Sequence, residues 1–160
     1  MRSAPQHRAR DLFQKAYRAQ MKGELDRAVE LYKNSLELHP TAEAHTYLGW
    51  TYHDLGKAED AIAECKRAIA LDPDFGNPYN DIGAYLIALG QYDEAIGWLE
   101  RAILAPRYGP RHYPHFNMGR AYFAKSMLRC ARESFQKALD IEPGYDLARQ
   151  AVESLRRMVN

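Results

Sequence analysis

Hydrophobic positions recur along this chain at the spacing of short amphipathic helices that are separated by glycines and prolines. Near the start, Phe13, Ala16 and Ala19 lie three residues apart before Gly23, and the next apolar stripe ends at Pro40. Apolar residues at intervals of three and four form one face of a helix, and glycine or proline marks where such a helix stops. The pattern therefore predicts pairs of helices joined by tight turns.

The pattern also repeats with a period of about 34 residues. Each copy places small residues where two helices must cross closely and large residues on the faces between them. The skeleton is Leu48-Gly49, Tyr52, Gly56, Ala61, Ala68 and Pro73, then Ile82-Gly83, Gly90, Ala95 and Ala102, then Met118-Gly119, Tyr122, Ala131, Ala138 and Pro143. From about residue 9 to 145 the chain resembles the tetratricopeptide repeat (TPR) family. The resemblance implies an all-α, right-handed superhelical solenoid of helix–turn–helix repeats.

The resemblance divides the chain into a tail, four repeats and a cap. We expect a flexible N-terminal tail over residues 1–8, repeats at about 9–41, 42–75, 76–111 and 112–145, and a C-terminal capping helix over 146–160. The first repeat is degenerate, and Ser126 replaces the turn glycine of the fourth. In the cap, one apolar face backed by charged residues is typical of a terminal helix. That face is formed by Leu147, Ala151, Val152, Leu155 and Met158.

The third repeat is followed by a longer connection. Gly119 lies 36 residues after Gly83, against 34 between Gly49 and Gly83, and the extra length falls in a stretch with three prolines and one glycine, residues 105–114. In repeat arrays, insertions map to loops on one face and often mark function. Trp98, on the preceding helix, is expected to pack under this loop, with a second contact surface on the convex side as the alternative.

The composition limits the class of partner and the cellular location that we expect for this protein. The 160 residues are 46% hydrophobic and 27% charged with a net charge of +1, so no overall field favours nucleic acid, membrane or acidic substrates. Cys65 and Cys130 fall in different repeats, which favours free thiols and a reducing compartment. No stretch resembles a signal peptide or approaches the ~20 apolar residues of a membrane span. We therefore expect a cytoplasmic location.

In the TPR family the first helix of each pair lines a concave groove. Carried onto this chain, the resemblance places aromatic and amide side chains there. Aromatic rings offer a large contact area, and an asparagine both donates and accepts hydrogen bonds. Tyr47 and Phe116 have packing between adjacent helices as the alternative. The predicted groove contacts are Tyr17, Tyr47, Trp50, Asn80, Asn117, Arg120 and Phe123.

One TPR subclass binds a C-terminal carboxylate with a set of Lys, Asn, Asn, Lys and Arg. The five matching places in this chain hold no cation, and Asp81 would repel a carboxylate. Those places hold Phe13, Tyr17, Tyr47, Asn77 and Asp81. The groove is therefore expected to prefer an apolar or aromatic segment over the acidic tail of a chaperone.

Other chemistry finds little support in the sequence. His112 and His115 are spaced for a metal but lack further ligands nearby. No phosphate-binding loop, nucleophile elbow or metalloprotease motif occurs, and the groove is not basic enough for nucleic acid. We therefore expect no catalytic residue, metal site or cofactor. Acidic residues are expected on a charged outer face, among them Asp60, Glu64, Asp93 and Glu94.

The sequence thus predicts a non-enzymatic protein-interaction module, or adaptor, that binds a peptide or helix of a partner in its groove. A self-assembling scaffold is the first alternative, because a degenerate first repeat leaves a poorly capped N-terminal face. A small secretion-type chaperone is the second.

Overall fold

The computed structural model describes residues 1–158. Within this range it contains nine α-helices and no β-strand beyond a single isolated bridge. The helices are α1 (Ala4–Met21), α2 (Leu25–Leu38), α3 (Ala42–Asp54), α4 (Ala58–Leu71), α5 (Asn77–Ala88), α6 (Tyr92–Leu104), α7 (His112–Ala124), α8 (Leu128–Ile141) and α9 (Asp146–Met158).

The helices pack as four successive pairs with one helix added at the end. Each odd-numbered helix up to α7 packs on the even-numbered helix after it, each pair packs on the next, and α9 packs on α8. The odd-numbered helices also contact one another across repeats, α1 with α3, α3 with α5 and α5 with α7. These four helices therefore line the inner face of the array. The predicted all-α repeat solenoid is confirmed.

Glycines allow the two helices of a pair to cross closely. A β-carbon added to Gly83 would lie 2.5 Å from Leu99 Cδ2, and one added to Gly119 would lie 2.6 Å from Phe135 Cδ1. Both distances are shorter than van der Waals contact, so only glycine fits without movement of the large neighbour. This explains why a small residue recurs at that place in the sequence pattern.

A left-handed residue closes the turn within each helix pair. Gly23, Gly56 and Gly90 have φ of +80°, +77° and +76°, and Ser126 has φ of +60° in the fourth pair. Glycine adopts this conformation without steric cost, whereas a residue with a β-carbon does not. Ser126 therefore keeps the turn geometry while introducing local strain.

The N-terminus begins as a helix. Ser3 caps α1 with its side chain, the side chain of Gln6 caps the Ser3 backbone in return, and Pro5 stands in the first turn. Such a reciprocal capping box satisfies backbone donors that a helix otherwise leaves free. Residues 4–8, which the sequence analysis assigned to a flexible tail, therefore belong to α1.

The long connection after α6 is attached to the loop that precedes α5. Arg107 donates its backbone N–H to Asp74 O and accepts from the backbone N–H of Gly76, forming a parallel bridge beside Phe75. Tyr108 is buried over Gly76, where an added β-carbon would lie 2.5 Å from the Tyr108 β-carbon. The insertion is thus fixed against the start of its own repeat.

Side chains complete this attachment. Arg107 pairs with the Asp72 carboxylate, and Arg111 donates to the backbone carbonyls of Ile103 and Ala105. Trp98 packs against the cluster that contains Tyr108, which is the position that the sequence analysis expected under the loop.

The cap differs in detail from its predicted face. Ala148, Val152 and Leu155 are buried, whereas Leu147 and Met158 are 56% and 60% exposed. The buried stripe follows intervals of four and three, which leaves those two side chains on other parts of α9. Residues 159 and 160, the end of the predicted cap, lie outside the described residues.

Glu64 corrects the predicted outer acidic face. It is only 7% exposed, its Oε2 lies 2.6 Å from His45 Nδ1, and Arg67 pairs with its other oxygen. The position of Glu64 follows from Gly49, because a β-carbon there would lie 3.6 Å from the Glu64 β-carbon. The close approach of α3 therefore buries a carboxylate that would otherwise face solvent.

Candidate peptide-binding groove

The inner face of α1, α3, α5 and α7 carries large exposed rings. Tyr17, Trp50 and Phe123 are 40%, 38% and 48% exposed, and Arg120 is exposed as well. Tyr17, Trp50 and Arg120 share one register, since each follows the place of the crossing glycine or its equivalent. Rings of this size at the surface of a repeat array provide contact area for a ligand.

Tyr47 is the centre of an aromatic cluster at the N-terminal half of this face. Its ring centroid lies 5.3 Å from that of Phe13, 5.7 Å from that of Tyr17 and 5.9 Å from that of Trp50. Tyr47 itself is half-buried, and burial raises the pKa of its hydroxyl. Tyr47 therefore packs between α1 and α3 and at the same time supports the two exposed rings.

The predicted amides form a chain with Arg120. The Arg120 guanidinium donates to Asn117 Oδ1, and Asn117 Nδ2 donates to Asn80 Oδ1, each over 3.0 Å. Asn80 and Asn117 are each 8% exposed, so their first role is to join α5 to α7. The structure thus brings three of the seven predicted contacts into one polar network and Tyr17, Tyr47 and Trp50 into one aromatic cluster. Phe123 belongs to neither group.

Asp81 lies on α5 next to this network. Its side chain is half-buried, and none of the ion pairs among residues 1–158 includes it. Burial raises the pKa of Asp81 to about 7, and a hydrogen bond from the Asn80 side chain lowers it in part. The sequence alone indicates only that Asp81 repels carboxylates. The sequence does not reveal this environment, because the Asn80 side chain beside Asp81 is held by Asn117, 37 residues further along the chain.

A second aromatic cluster lies at the C-terminal end of the array. Tyr145 packs against Tyr113 at 5.8 Å and against Phe116 at 5.1 Å between ring centroids, and Phe116 also packs on Phe135 at 5.2 Å. Phe116 is therefore a packing residue, the alternative that the sequence left open. Tyr113 stays exposed. Sequence reasoning missed Tyr145, which lies in a connection between helices.

An open cavity of about 320 Å³ adjoins the N-terminal half of the array. Residues from α1, from the end of α2 and from the start of α3 line it. Phe13 belongs both to this cavity and to the aromatic cluster around Tyr47. Charged and polar groups surround the apolar patch: Arg2, Arg10, Ser35, His39, Thr41 and Glu43.

Among residues 1–158, no group of three or more histidine, cysteine, aspartate or glutamate side chains is arranged to hold a metal ion. His115, one of the two histidines with metal-like spacing, is half-buried, and burial lowers its pKa.

None of the helices in the described part of the chain combines the length and the apolar character that a membrane crossing requires.

Known proteins share this fold and sequence pattern. Two family models described as tetratricopeptide repeat match residues 13–74 and 52–107, which together cover more than half of the chain. Tetratricopeptide repeat protein 13 of Homo sapiens is 31% identical over 133 residues, 79% of this chain and 15% of that protein. Protein SGT1 homolog of Oryza sativa subsp. japonica is 36% identical over 93 residues, 58% of this chain and 25% of that protein. The chain thus spans a quarter or less of these relatives.

Solved structures of other proteins have a similar fold. A crystal structure of MamA protein is 26% identical with a TM-score of 0.76, covering 93% of this chain and 81% of MamA. Pseudomonas aeruginosa PilF reaches a TM-score of 0.89 at 21% identity, covering 96% of this chain and 69% of PilF, and this likeness shows the fold alone. The repeat skeleton, the pairing of the helices, the family models and the structural neighbours all support the same assignment. The chain therefore belongs to the tetratricopeptide repeat family.

Proposed function

We propose that the protein is a non-enzymatic interaction module whose inner face holds a peptide or a helix of another protein. The observation that carries this proposal is the exposure of Tyr17, Trp50 and Phe123 on one face of a rigid array. Large exposed rings on a fixed scaffold contribute contact area at low entropic cost, and the curvature of a repeat array suits an extended ligand.

The polar network supports the same proposal in a different way. Because Asn80 and Asn117 are nearly buried, they hold the floor of the groove while exposed Arg120 offers its remaining donors to a ligand. A guanidinium has five N–H donors, and one hydrogen bond to Asn117 leaves most of them free. We therefore infer that the rings bind apolar side chains and that Arg120 binds a polar group of the ligand.

The test uses a triple variant that removes only exposed inner rings, Tyr17→Ala, Trp50→Ala and Phe123→Ala. A matched control replaces three exposed apolar residues at the ends of the even-numbered helices, Leu71, Leu104 and Ile141, with alanine. Wild type and both variants serve as baits for affinity capture, read by mass spectrometry. A partner held by wild type and the control but lost from the ring variant is the expected result.

Equal capture of that partner by all three baits would refute the groove as the binding site. Capture of the protein itself alone would favour self-assembly instead. Against end-to-end stacking, the exposed residues of α1 are mostly charged or polar, among them Arg8, Asp11, Lys15 and Arg18.

A further inference from the structure

The half-buried carboxylate of Asp81 stands in the groove without an internal cation. We propose that the segment held by the groove carries a lysine or arginine side chain that pairs with Asp81. This inference rests on the proposed function, since it names the chemistry of the ligand for that same surface. Three features of the site carry it: the register of Asp81, the hydrogen-bond network beside it and the small side chain on the next turn of α5.

Register places Asp81 on the inner face. Counted from the crossing glycine of each repeat, Asp81 on α5 is equivalent to Tyr47 on α3 and to Asn117 on α7. Tyr47 is in contact with aromatic rings, and Asn117 makes two side-chain hydrogen bonds. Asp81, by contrast, takes part in none of the ion pairs of residues 1–158. A half-buried carboxylate without a cation is a costly arrangement unless a ligand completes it.

The network beside Asp81 leaves acceptor capacity open. Arg120 donates to Asn117 and Asn117 donates to Asn80, so each step of the chain leads towards α5. The Asn80 side chain then acts on the Asp81 carboxylate as a hydrogen-bond donor. An ionised carboxylate has about four lone-pair sites. One amide donor therefore leaves room for the forked N–H groups of an arginine or for a lysine ammonium.

One turn further along α5 than Asp81, the chain carries a small side chain, that of Ala84. Ala84 shares its register with Trp50 on α3 and Arg120 on α7, so a methyl group stands where both neighbours have large side chains. The Trp50 indole, 38% exposed, is the matching partner for the aliphatic stem or the charged end of a basic side chain.

A bound cation also changes the protonation of the site. Burial raises the pKa of Asp81 to about 7, and a cation beside the carboxylate lowers it again. Binding of a basic ligand should therefore release a proton and strengthen as the pH rises from 6 to 8. The titratable groups that face Asp81 are Tyr47 of α3, Cys65 of α4, Tyr85 of α5 and Tyr108 of the long loop. Arg120 of α7 belongs to the hydrogen-bond network beside it.

The test selects random peptides displayed on phage against three immobilised proteins: wild type, Asp81→Asn and Trp50→Ala. Peptides selected by wild type should be enriched in lysine or arginine beside apolar or aromatic residues. Asp81→Asn is isosteric and should select peptides with the same apolar residues but without the basic enrichment. A synthetic copy of a peptide selected by wild type should bind Asp81→Asn about tenfold more weakly at pH 8, with the difference shrinking at pH 6.

Failure of this inference can be told apart from failure of the groove. Peptides that need Trp50 but show no basic enrichment, or that bind Asp81→Asn as well as wild type, would overturn the Asp81 pairing and leave the groove standing. Peptides that bind Trp50→Ala as strongly as wild type, or no selection at all, would overturn both.

Discussion

Asn117 donates a hydrogen bond from Nδ2 to Oδ1 of Asn80 over 3.0 Å, and this amide pair joins α7 to α5 beneath the groove. The same Asn117 accepts from Arg120 through its own Oδ1. One side chain therefore connects the packing of two repeats with the exposed cation on the inner face. Substitutions at the floor and at the surface of the groove should consequently have different effects.

Asn117→Ala should lower the free energy of unfolding by about 1–2 kcal/mol, because it leaves the Asn80 carbonyl oxygen in a nearly buried place without its donor. Arg120→Ala, at an exposed position, should change stability by less than about 0.5 kcal/mol. Urea denaturation of both variants measures the difference. Equal stability of the two would show that the amide pair does not hold the repeats together.

The contribution of Asp81 to stability should fall as the pH rises from about 4 to 7, because the pKa of Asp81 goes from its ordinary 3.8 to about 7 on folding. In that window the folded state keeps a proton that the unfolded state has lost, so acid favours folding. Asp81→Asn should therefore match wild type near pH 4 and exceed its stability at pH 8. Because the side chain is only half-buried, we expect the free energies of unfolding of the two proteins to differ by about 1–2 kcal/mol at pH 8.

Thermal unfolding of both proteins across this pH range measures the effect. The two proteins differ only at Asp81, so the titration of every other group cancels in the comparison. Parallel curves for wild type and Asp81→Asn would contradict the assignment.

Ser126→Gly should stabilise the protein by about 0.5–1 kcal/mol, since glycine adopts the left-handed turn without the strain that the serine side chain imposes at φ of +60°. The reciprocal change Gly90→Ser, at φ of +76°, should destabilise it by a similar amount. Midpoints of thermal unfolding for the pair provide the comparison. A destabilising Ser126→Gly would mean that the serine side chain makes a compensating contribution.

Gly76→Ala should destabilise the protein by about 1–3 kcal/mol, because the new β-carbon would overlap Tyr108 at 2.5 Å. Gly97→Ala is the matched control, since Gly97 lies within α6 with no atom near its added β-carbon, and it should stabilise by about 0.5–1 kcal/mol. Denaturant unfolding of both variants shows whether each substitution lowers or raises the free energy of unfolding. If both variants gained stability, Tyr108 would not be fixed over Gly76.

The sequence predicted the structural features that recur in every repeat. The helix pairs follow from apolar spacing, and the crossing glycines follow from the recurrence of Gly49, Gly83 and Gly119. The chain also carries local signals that contradict the predicted flexible tail. Ser3 and Gln6 have the spacing of a capping box, although the segment was assigned to a flexible tail.

Contacts between distant side chains could not be read in the same way. The burial of Glu64 beside His45 depends on how closely α3 approaches α4, and a lone glutamate on a helix normally indicates a solvent face. Likewise, the period that locates Asn80 and Asn117 says nothing about whether the two amides meet. The repeat register was therefore predictable, whereas the division between buried and exposed side chains within it was not.

The attachment of the long loop has a consequence for how the array opens. In a regular repeat array each unit is coupled only to its neighbours, so the ends can fray independently. Here Arg107, near the far end of the third repeat, is hydrogen-bonded to Gly76 at its near end and to Asp74 just before it. The third repeat cannot separate one helix from the other without breaking that bridge and exposing Tyr108. We therefore expect the third repeat to open as one cooperative unit, with amides that exchange more slowly with solvent than those of the N-terminal helix pair.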